Sequence, residues 1–359
     1  MAVIGAGQAG LSSGYFLQRA GFQPGSGLVV LDANSGPGGA WQHRWRSLRF
    51  SDAHRLYPLP GSPLEPADVS RPAAEIVTEY YGRFEQRFDL RVHRPVRVRA
   101  VRREADRLRL ETSAGTWSAR AVVNATGTWT KPFWPAYPGA ATFRGRQLHT
   151  ADYQRPQEFA GRHVVIVGGG NSAVQLLAEI STWTTTTWVT RREPVWAQGP
   201  FDESAGREAV AQVEQTVRAG RPPASVVSVT GLGLTPAVAA ARERGVLRRR
   251  PMFERITPTG VSWANGESTR ADVILWCTGF RAALDHLAPL HLRERGGGIR
   301  VNGSQVEADP RIHLIGYGPS ASTIGANRAA RVAARQLRDL LGGAERPPSE
   351  FTLDHRFGP

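Results

Sequence analysis

Apolar residues gather in short unbroken runs, AVI at 2–4, LVVL at 28–31, VVIV at 164–167 and VILW at 273–276, each soon closed by glycine or a polar residue. Such runs, bounded by turn formers, predict strands. Two of them open into stretches with helical spacing, LSSGYFLQRAG after the first and NSAVQLLAEIS after the third, and PAAEIVTEYYGRFEQRF at 72–88 predicts another helix. Between these, DLRVHRPVRVRAVRRE (89–104), DRLRLETS (106–113) and WSARAVVNATG (117–127) alternate as antiparallel strands do. Pro132, Pro135 and Pro138 in TWTKPFWPAYPG deny a helix and predict a stiff connector. Near the end, RIHLIGYG predicts a strand and PSASTIGANRAARVAARQLRDLL a helix, with Ser and Thr at its start and arginines towards its end. Two segments lack a clear pattern. Residues 33–66 form a long glycine- and proline-punctuated stretch holding Trp41 and Trp45, and such stretches are usually functional. Arg-rich residues 200–250 read as a solvated helical cover.

The strand–turn–helix units carry the chemistry. In the first, Gly5, Gly7 and Gly10 fill G-x-G-x-x-G around Gln8 and Ala9, and Asp32 closes the following strand 27 positions after Gly5. The first glycine permits the turn, the second lets backbone approach a pyrophosphate, and the third lets helix pack on strand. Pyrophosphate then meets free backbone N–H groups at the positive end of a helix, while the acid hydrogen-bonds a ribose hydroxyl. That is the adenosine end of FAD or NAD. In the second unit Gly168, Gly170 and Ala173 fill the same frame around Asn171 and Ser172, but the next strand ends in Thr190, Arg191 and Arg192. Arginine there suits a 2′-phosphate, hence NADPH. Two fingerprints with different strand ends predict two different dinucleotides.

A formal charge of +14 raises nucleic acid or an anionic membrane as partners. Lys131 is the sole lysine, however, and the arginines are scattered among acids rather than gathered. We read the charge as a field for phosphorylated cofactors and expect no nucleic-acid partner. Cys277 is the sole cysteine, so neither an intrachain disulfide nor a C-x-x-C pair exists, which removes NADPH-dependent disulfide reduction through such a pair. It reads as a small buried hydrophobe. No apolar window approaches the roughly 18 residues of a membrane span, and no basic leader precedes the first strand, so a cytoplasmic protein is expected. The first strand begins so close to Met1 that the natural start is expected to differ. No metal-ligand set stands out.

Phe143, Gly145, His149 and Tyr153 fit F-x-G-x-x-x-H-x-x-x-Y, which resembles the identifying motif of flavin-containing monooxygenases, just ahead of the second fingerprint. With GAGQAG at Gly5, GGAW at Gly38–Trp41, ATG at Ala125, GGGNSA at Gly168 and CTGF at Cys277, the resemblance covers nearly the whole chain. Baeyer–Villiger relatives carry a variant ending in Trp followed by Pro or Asp, whereas Gln154 follows Tyr153 here. GPGGAWQHRW, FRGRQLH and VILWCTGFRAALDHLAPL look most like compact bacterial members encoded with arsenic-resistance genes. Two positions depart from the family: Ser51 stands where many members have an Asn facing the flavin, and Gly316 where related flavoproteins have an Asp.

The resemblance implies an α/β fold of two Rossmann-like dinucleotide-binding domains, an FAD domain of residues 1–145 plus 280–359 interrupted by an NADPH domain of 146–279. Gly5, Gly7, Gln8, Ala9, Gly10, Asp32, Gly39, Trp41, Val96, Thr126 and Gly127 are then expected at FAD, with Thr323 and Ile324 near the flavin ring. Gly168, Gly170, Asn171, Ser172, Ala173, Arg191 and Arg192 are expected at NADPH. The implied activity is oxygenation of a soft heteroatom (S, N or As) of a small molecule with O2, through a flavin C4a-hydroperoxide that needs no catalytic acid or base. An NADPH oxidase or reductase without oxygen transfer and a non-catalytic redox sensor are the alternatives. A homodimer is a possible assembly. His149 is read as a hydrogen bond across the domain junction. For Trp41 and Trp45, core packing and flavin contact stay open.

Overall fold

The computed structural model describes residues 1–53, 56–197, 203–223 and 231–342, with 203–210 as backbone only. The first apolar run is β1 (Ala2–Ile4), which turns at glycine into α1 (Gln8–Arg19) and returns as β2 (Val29–Leu31). After α2 (Ala73–Arg87) the chain adds β3 (Val92–His93), then the antiparallel meander β4 (Val98–Glu104), β5 (Arg107–Thr112) and β6 (Gly115–Ala119), and re-enters the sheet as β7 (Val122–Asn124). A second set of strands follows: β8 (Arg146–His149), β9 (Val164–Val167), then α3 (Asn171–Ile180) and β10 (Thr186–Thr190). Beyond α4 (Glu203–Arg218) and α5 (Pro236–Glu243) come β11 (Arg249–Pro251), a small antiparallel sheet of β12 (Arg255–Thr257), β13 (Gly260–Ser262) and β14 (Ser268–Arg270), and β15 (Val273–Trp276). The described chain ends with β16 (Val301–Asn302), β17 (Gln305–Val306), β18 (Ile312–Leu314) and α6 (Thr323–Leu340).

The fold is α/β, as expected. One sheet has the order β16-β17-β18-β7-β1-β2-β3, parallel from β18 to β3, and the other the all-parallel order β11-β10-β9-β15-β8. Register sorts the side chains by face. Val3, aligned with Val30 and Val123, packs with Leu11 and Leu17 of α1 and Ala330, Ala333 and Leu337 of α6. Ile4, Leu31 and Val122 face the other way, onto Val101, Leu108 and Leu110 of the meander. In the second sheet Val164 and Ile166 pack on α3, while Val165 and Val167 pack on Phe253, Val261 and Trp276.

Three expectations change. The run 89–104 is two elements, because Arg94-Pro95 divides it: β3 edges the parallel sheet and β4 opens the meander. The run 117–127 also divides, β6 pairing antiparallel and β7 parallel at the centre of the sheet. The 200–250 region is not only a solvated cover: Val213 and Val217 of α4 are buried, and Val217 belongs to the core beneath the first sheet. Residues 200–202 and 224–230 of that region lie outside the described residues.

Candidate cofactor sites at two glycine turns

The first fingerprint is a steric necessity. A Cβ on Gly5, whose φ is +98°, would lie 2.6 Å from the carbonyl oxygen of Ala125, and one on Gly10 only 1.8 Å from that of Gly5. Gly39, at φ +53°, comes close enough that its Cβ would sit 2.7 Å from Cα of Gly7. Helix α1 begins beside this turn with Gly7 as N-cap and no side chain on its end, so backbone donors stay available to an anion. Above them opens a cavity of about 390 Å³, lined by Gly5, Gly7, Gln8, Ala9, Asp32, Gly39, Trp41, Val96, Thr126, Gly127 and Thr323. A cradle that side chains would fill, at a helix start, fits an FAD pyrophosphate. Of the residues expected here, Gly10 and Ile324 do not line the cavity. Gly10 instead holds helix against strand.

Asp32 is buried and already partnered. Arg94 Nε donates to its Oδ2 at 3.0 Å, and the same guanidinium forks onto Glu85 with two bonds of 2.7 Å. Asn34 Nδ2 donates to Asp32 Oδ1 at 3.2 Å. These bonds fix the geometry of the acid, and as it also lines the cavity it is placed to accept from a ribose hydroxyl. Gln8 is oriented similarly: Tyr81 Oη donates to its Oε1 and its Nε2 donates to Asn327 Oδ1, both at 2.8 Å. At the far wall His286 Nε2 lies 2.7 Å from Asn124 Oδ1, and burial pulls this imidazole down to about 4, leaving it neutral. Nothing in the sequence marks Arg94, Asn327 or His286, since their partners lie far away along the chain.

The second turn repeats the sterics. Gly168 has φ +145°, and its Cβ would lie 2.3 Å from the carbonyl oxygen of Cys277, whereas Gly170 has nothing within 4 Å. Gly170 N-caps α3, whose first turn carries Asn171, Ser172 and buried Ala173. Trp188 Nε1 donates to the Gly168 carbonyl at 2.8 Å and fixes the turn to β10. Arg191 and Arg192 follow β10, exposed, and neither forms an ion pair among the described residues. Arg249 does: it meets Glu193 at 2.6 Å and its Nε donates to Thr190 Oγ1 at 2.7 Å. A backbone-lined turn with exposed arginines at the adjoining strand end fits a nicotinamide dinucleotide carrying a 2′-phosphate.

The motif from Phe143 to Tyr153 joins these parts. A Cβ on Gly145 would meet the Phe143 ring at 2.5 Å and the Asp272 carbonyl at 2.4 Å, which explains the F-x-G spacing. His149 Nδ1 accepts from Ala151 N at 3.1 Å, so Nε2 carries the proton and donates to the Gly279 carbonyl at 3.0 Å. Burial lowers its pKa and favours that neutral form. Tyr153 stacks on Phe159 and meets Trp45 edge-on. The two tryptophans therefore part: Trp45 is buried in the second sheet's core, and Trp41 lines the cavity. The Thr-Gly turns are tied crosswise. Ala283 N donates to Gly127 O and Phe133 N to Gly279 O, each at 2.9 Å, while Thr126 Oγ1 donates to Ala283 O at 2.7 Å. Cys277 is buried, and burial pushes its thiol up to about 12, so it is no nucleophile.

Residues 2–210 match the family described as pyridine nucleotide-disulphide oxidoreductase. Over 95% of its length the chain is 40% identical to the flavin-containing monooxygenase from Stenotrophomonas maltophilia, covering 98% of that chain with a TM-score of 0.80. It belongs to the flavin-containing monooxygenases. A member of this family takes FAD and NADPH as cofactors, the two dinucleotides the fingerprints call for. Among sequence relatives it is 30% identical to an uncharacterized CzcO-like oxidoreductase of Geobacillus kaustophilus, over 50% of each chain. It is 29% identical to a Baeyer-Villiger monooxygenase of Streptomyces coelicolor, over 57% of this chain and 40% of that one. The chain spans about half the length of the curated relatives it matches first. No helix among the described residues is long and apolar enough to cross a membrane.

Proposed function

We propose that the protein is an NADPH-dependent FAD monooxygenase that oxygenates a soft nucleophilic heteroatom, S, N or As, of a small molecule. The observation that carries this reading is the pairing of two glycine turns with unlike strand ends, Asp32 at one and Arg191 with Arg192 at the other, joined through the His149 motif. Residues 1–145 with 280–359 would form the FAD domain and 146–279 the NADPH domain; 343–359 lie outside the described residues.

Bound FAD, reduced by NADPH, supplies oxygen activation, and the chain supplies position and shelter. Gly5, Gly7 and the start of α1 would hold the pyrophosphate, and Asp32, fixed by Arg94, the adenosine ribose. Thr126, Gly127, Trp41 and Thr323 would flank the rest of the cofactor. Gly168, Gly170, Asn171 and Ser172 would hold the NADPH pyrophosphate and Arg191 and Arg192 its 2′-phosphate. His149 acts as a tie between strands and needs no proton transfer. Heteroatom oxygenation is preferred to ketone insertion because Gln154 stands where the Baeyer–Villiger motif has Pro or Asp.

The test is NADPH consumption across a panel of sulfides, amines and trivalent arsenicals, with peroxide measured alongside and oxide products traced with 18O2. Label in the product supports the reading. Stoichiometric peroxide without product makes the protein an oxidase, and no reduction by NADPH makes it a sensor.

A further inference from the structure

Arg44 follows the short helical turn Gly39–His43 and is held by indoles alone. Its Cζ lies 5.5 Å from the ring centre of Trp41, 5.9 Å from Trp45 and 4.9 Å from Trp129. Its Nε is buried without a hydrogen-bond partner, and among the described residues the guanidinium meets no carboxylate and no carbonyl. Burial brings it down to about 10, so it is cationic at neutral pH. The nearly enclosed charges Asp32 and Glu85, by contrast, are answered by Arg94. A desolvated cation is costly, and ring faces compensate only part of that cost because they accept no in-plane hydrogen bond.

The position of the cage matters as much as its charge. Trp41 and Trp129 both line the 390 Å³ cavity. Trp129 also stacks on Phe280 at 5.0 Å, next to the Gly279 carbonyl that holds His149. Arg44 itself is not part of the cavity wall; it stands against Trp41 and Trp129, which are. The anions of both dinucleotides have cradles of their own at the two glycine turns.

We propose that Arg44 is a specificity-determining residue that binds the carboxylate of an anionic substrate beside the Trp41 and Trp129 rings of the cavity wall. The substrate class is then a small soft-heteroatom compound bearing a carboxylate, placed with its apolar part against the Trp41 and Trp129 rings. Guanidinium suits this task because its fork matches a carboxylate with two parallel bonds. This assignment rests on the oxygenase reading above for the word substrate, but not for the anion site.

The two parts are separable by experiment. Isothermal titration of the FAD-loaded enzyme with 4-(methylthio)benzoate and its neutral partner 4-(methylthio)benzamide reads the charge preference without turnover. The carboxylate should bind at least about tenfold more tightly, as expected for a charged pair. In Arg44→Met the preference should fall to about one, and in Arg44→Lys it should be partly kept; both variants should retain FAD and the wild-type NADPH affinity. Equal binding of the two probes by the wild type, or an unchanged preference in Arg44→Met, overturns the proposal. So does an Arg44→Met enzyme that loses NADPH affinity with the probe preference intact, since the anion is then the cofactor's. Preferential binding without sulfoxide formation in the presence of NADPH and O2 keeps the anion site and removes the oxygenase reading.

Discussion

Arg94 sits between two carboxylates, its Nε 3.0 Å from Asp32 and its two terminal nitrogens 2.7 Å from Glu85, with all three side chains nearly enclosed. Removing the cation leaves two buried anions facing each other. Arg94→Met should destabilise the fold by about 3 to 5 kcal/mol and release FAD, as measured by denaturant melts and flavin retention. Arg94→Met with Asp32→Asn should recover part of the stability but not the FAD affinity. A single variant with unchanged flavin affinity would separate Asp32 from the ribose.

Glycines at different places in the two turns should respond differently. A side chain on Gly10 collides with backbone at 1.8 Å, whereas one on Gly170 meets no protein atom within 4 Å. Gly10→Val should yield protein without flavin. Gly170→Ala should keep the fold and FAD, at a cost under about 1 kcal/mol, and weaken NADPH because its Cβ enters the space assigned to the pyrophosphate. Stoichiometric FAD in Gly10→Val would show the first frame is misassigned.

The His149–Gly279 bond is one hydrogen bond with both partners in fixed positions. His149→Ala should cost about 0.5 to 1.5 kcal/mol by removing one of the two donors to that carbonyl, Phe133 N being the other, with FAD still bound. A slower reduction by NADPH, seen by stopped flow, is expected if the tie sets the geometry of the two sites. Unchanged stability would refute the tie.

For the nicotinamide cofactor, Arg191 and Arg192 stand exposed at the end of β10 and form no ion pair among the described residues. Replacing both with Ala should lower the NADPH-to-NADH preference by at least about tenfold, since each charge-assisted bond contributes about 1.5 to 3 kcal/mol. NADH should be nearly unaffected. Equal loss of both cofactors would place the arginines at the shared pyrophosphate or in the fold.

Acid should destabilise the protein through its buried histidines. Burial pulls His286 and His313 from 6.5 to about 4 and lowers His149. In the unfolded chain these groups protonate first, so stability is present above about pH 6.5 and is lost as pH falls towards 4. The loss is on the order of 3 kcal/mol for each of His286 and His313. Melting temperature against pH checks this, and His313→Gln should flatten the curve. A flat wild-type profile from pH 7 to 4.5 would refute it.

The sequence by itself determined the two strand–turn–helix units, because their requirements are local: glycine where a Cβ has no room, apolar runs that fill a parallel strand, helical spacing beyond. It also marked Asp32, Arg191 and Arg192 by their places at strand ends, and the F-x-G spacing follows from one ring lying over one glycine. What only the tertiary structure decided has no local period. The run 89–104 is divided by the sheet edge that β3 joins, and Val217 becomes core only when α4 reaches the first sheet. Trp41 and Trp45 stand four positions apart in one segment, yet folding sends one to the cavity and the other to a core. Arg94 finds Asp32 across 62 positions and His286 finds Asn124 across 162. Arg44 looks like any other arginine until three indoles from two segments close around it. A charge acquires its meaning from what surrounds it, and that is set by packing between segments distant in the chain.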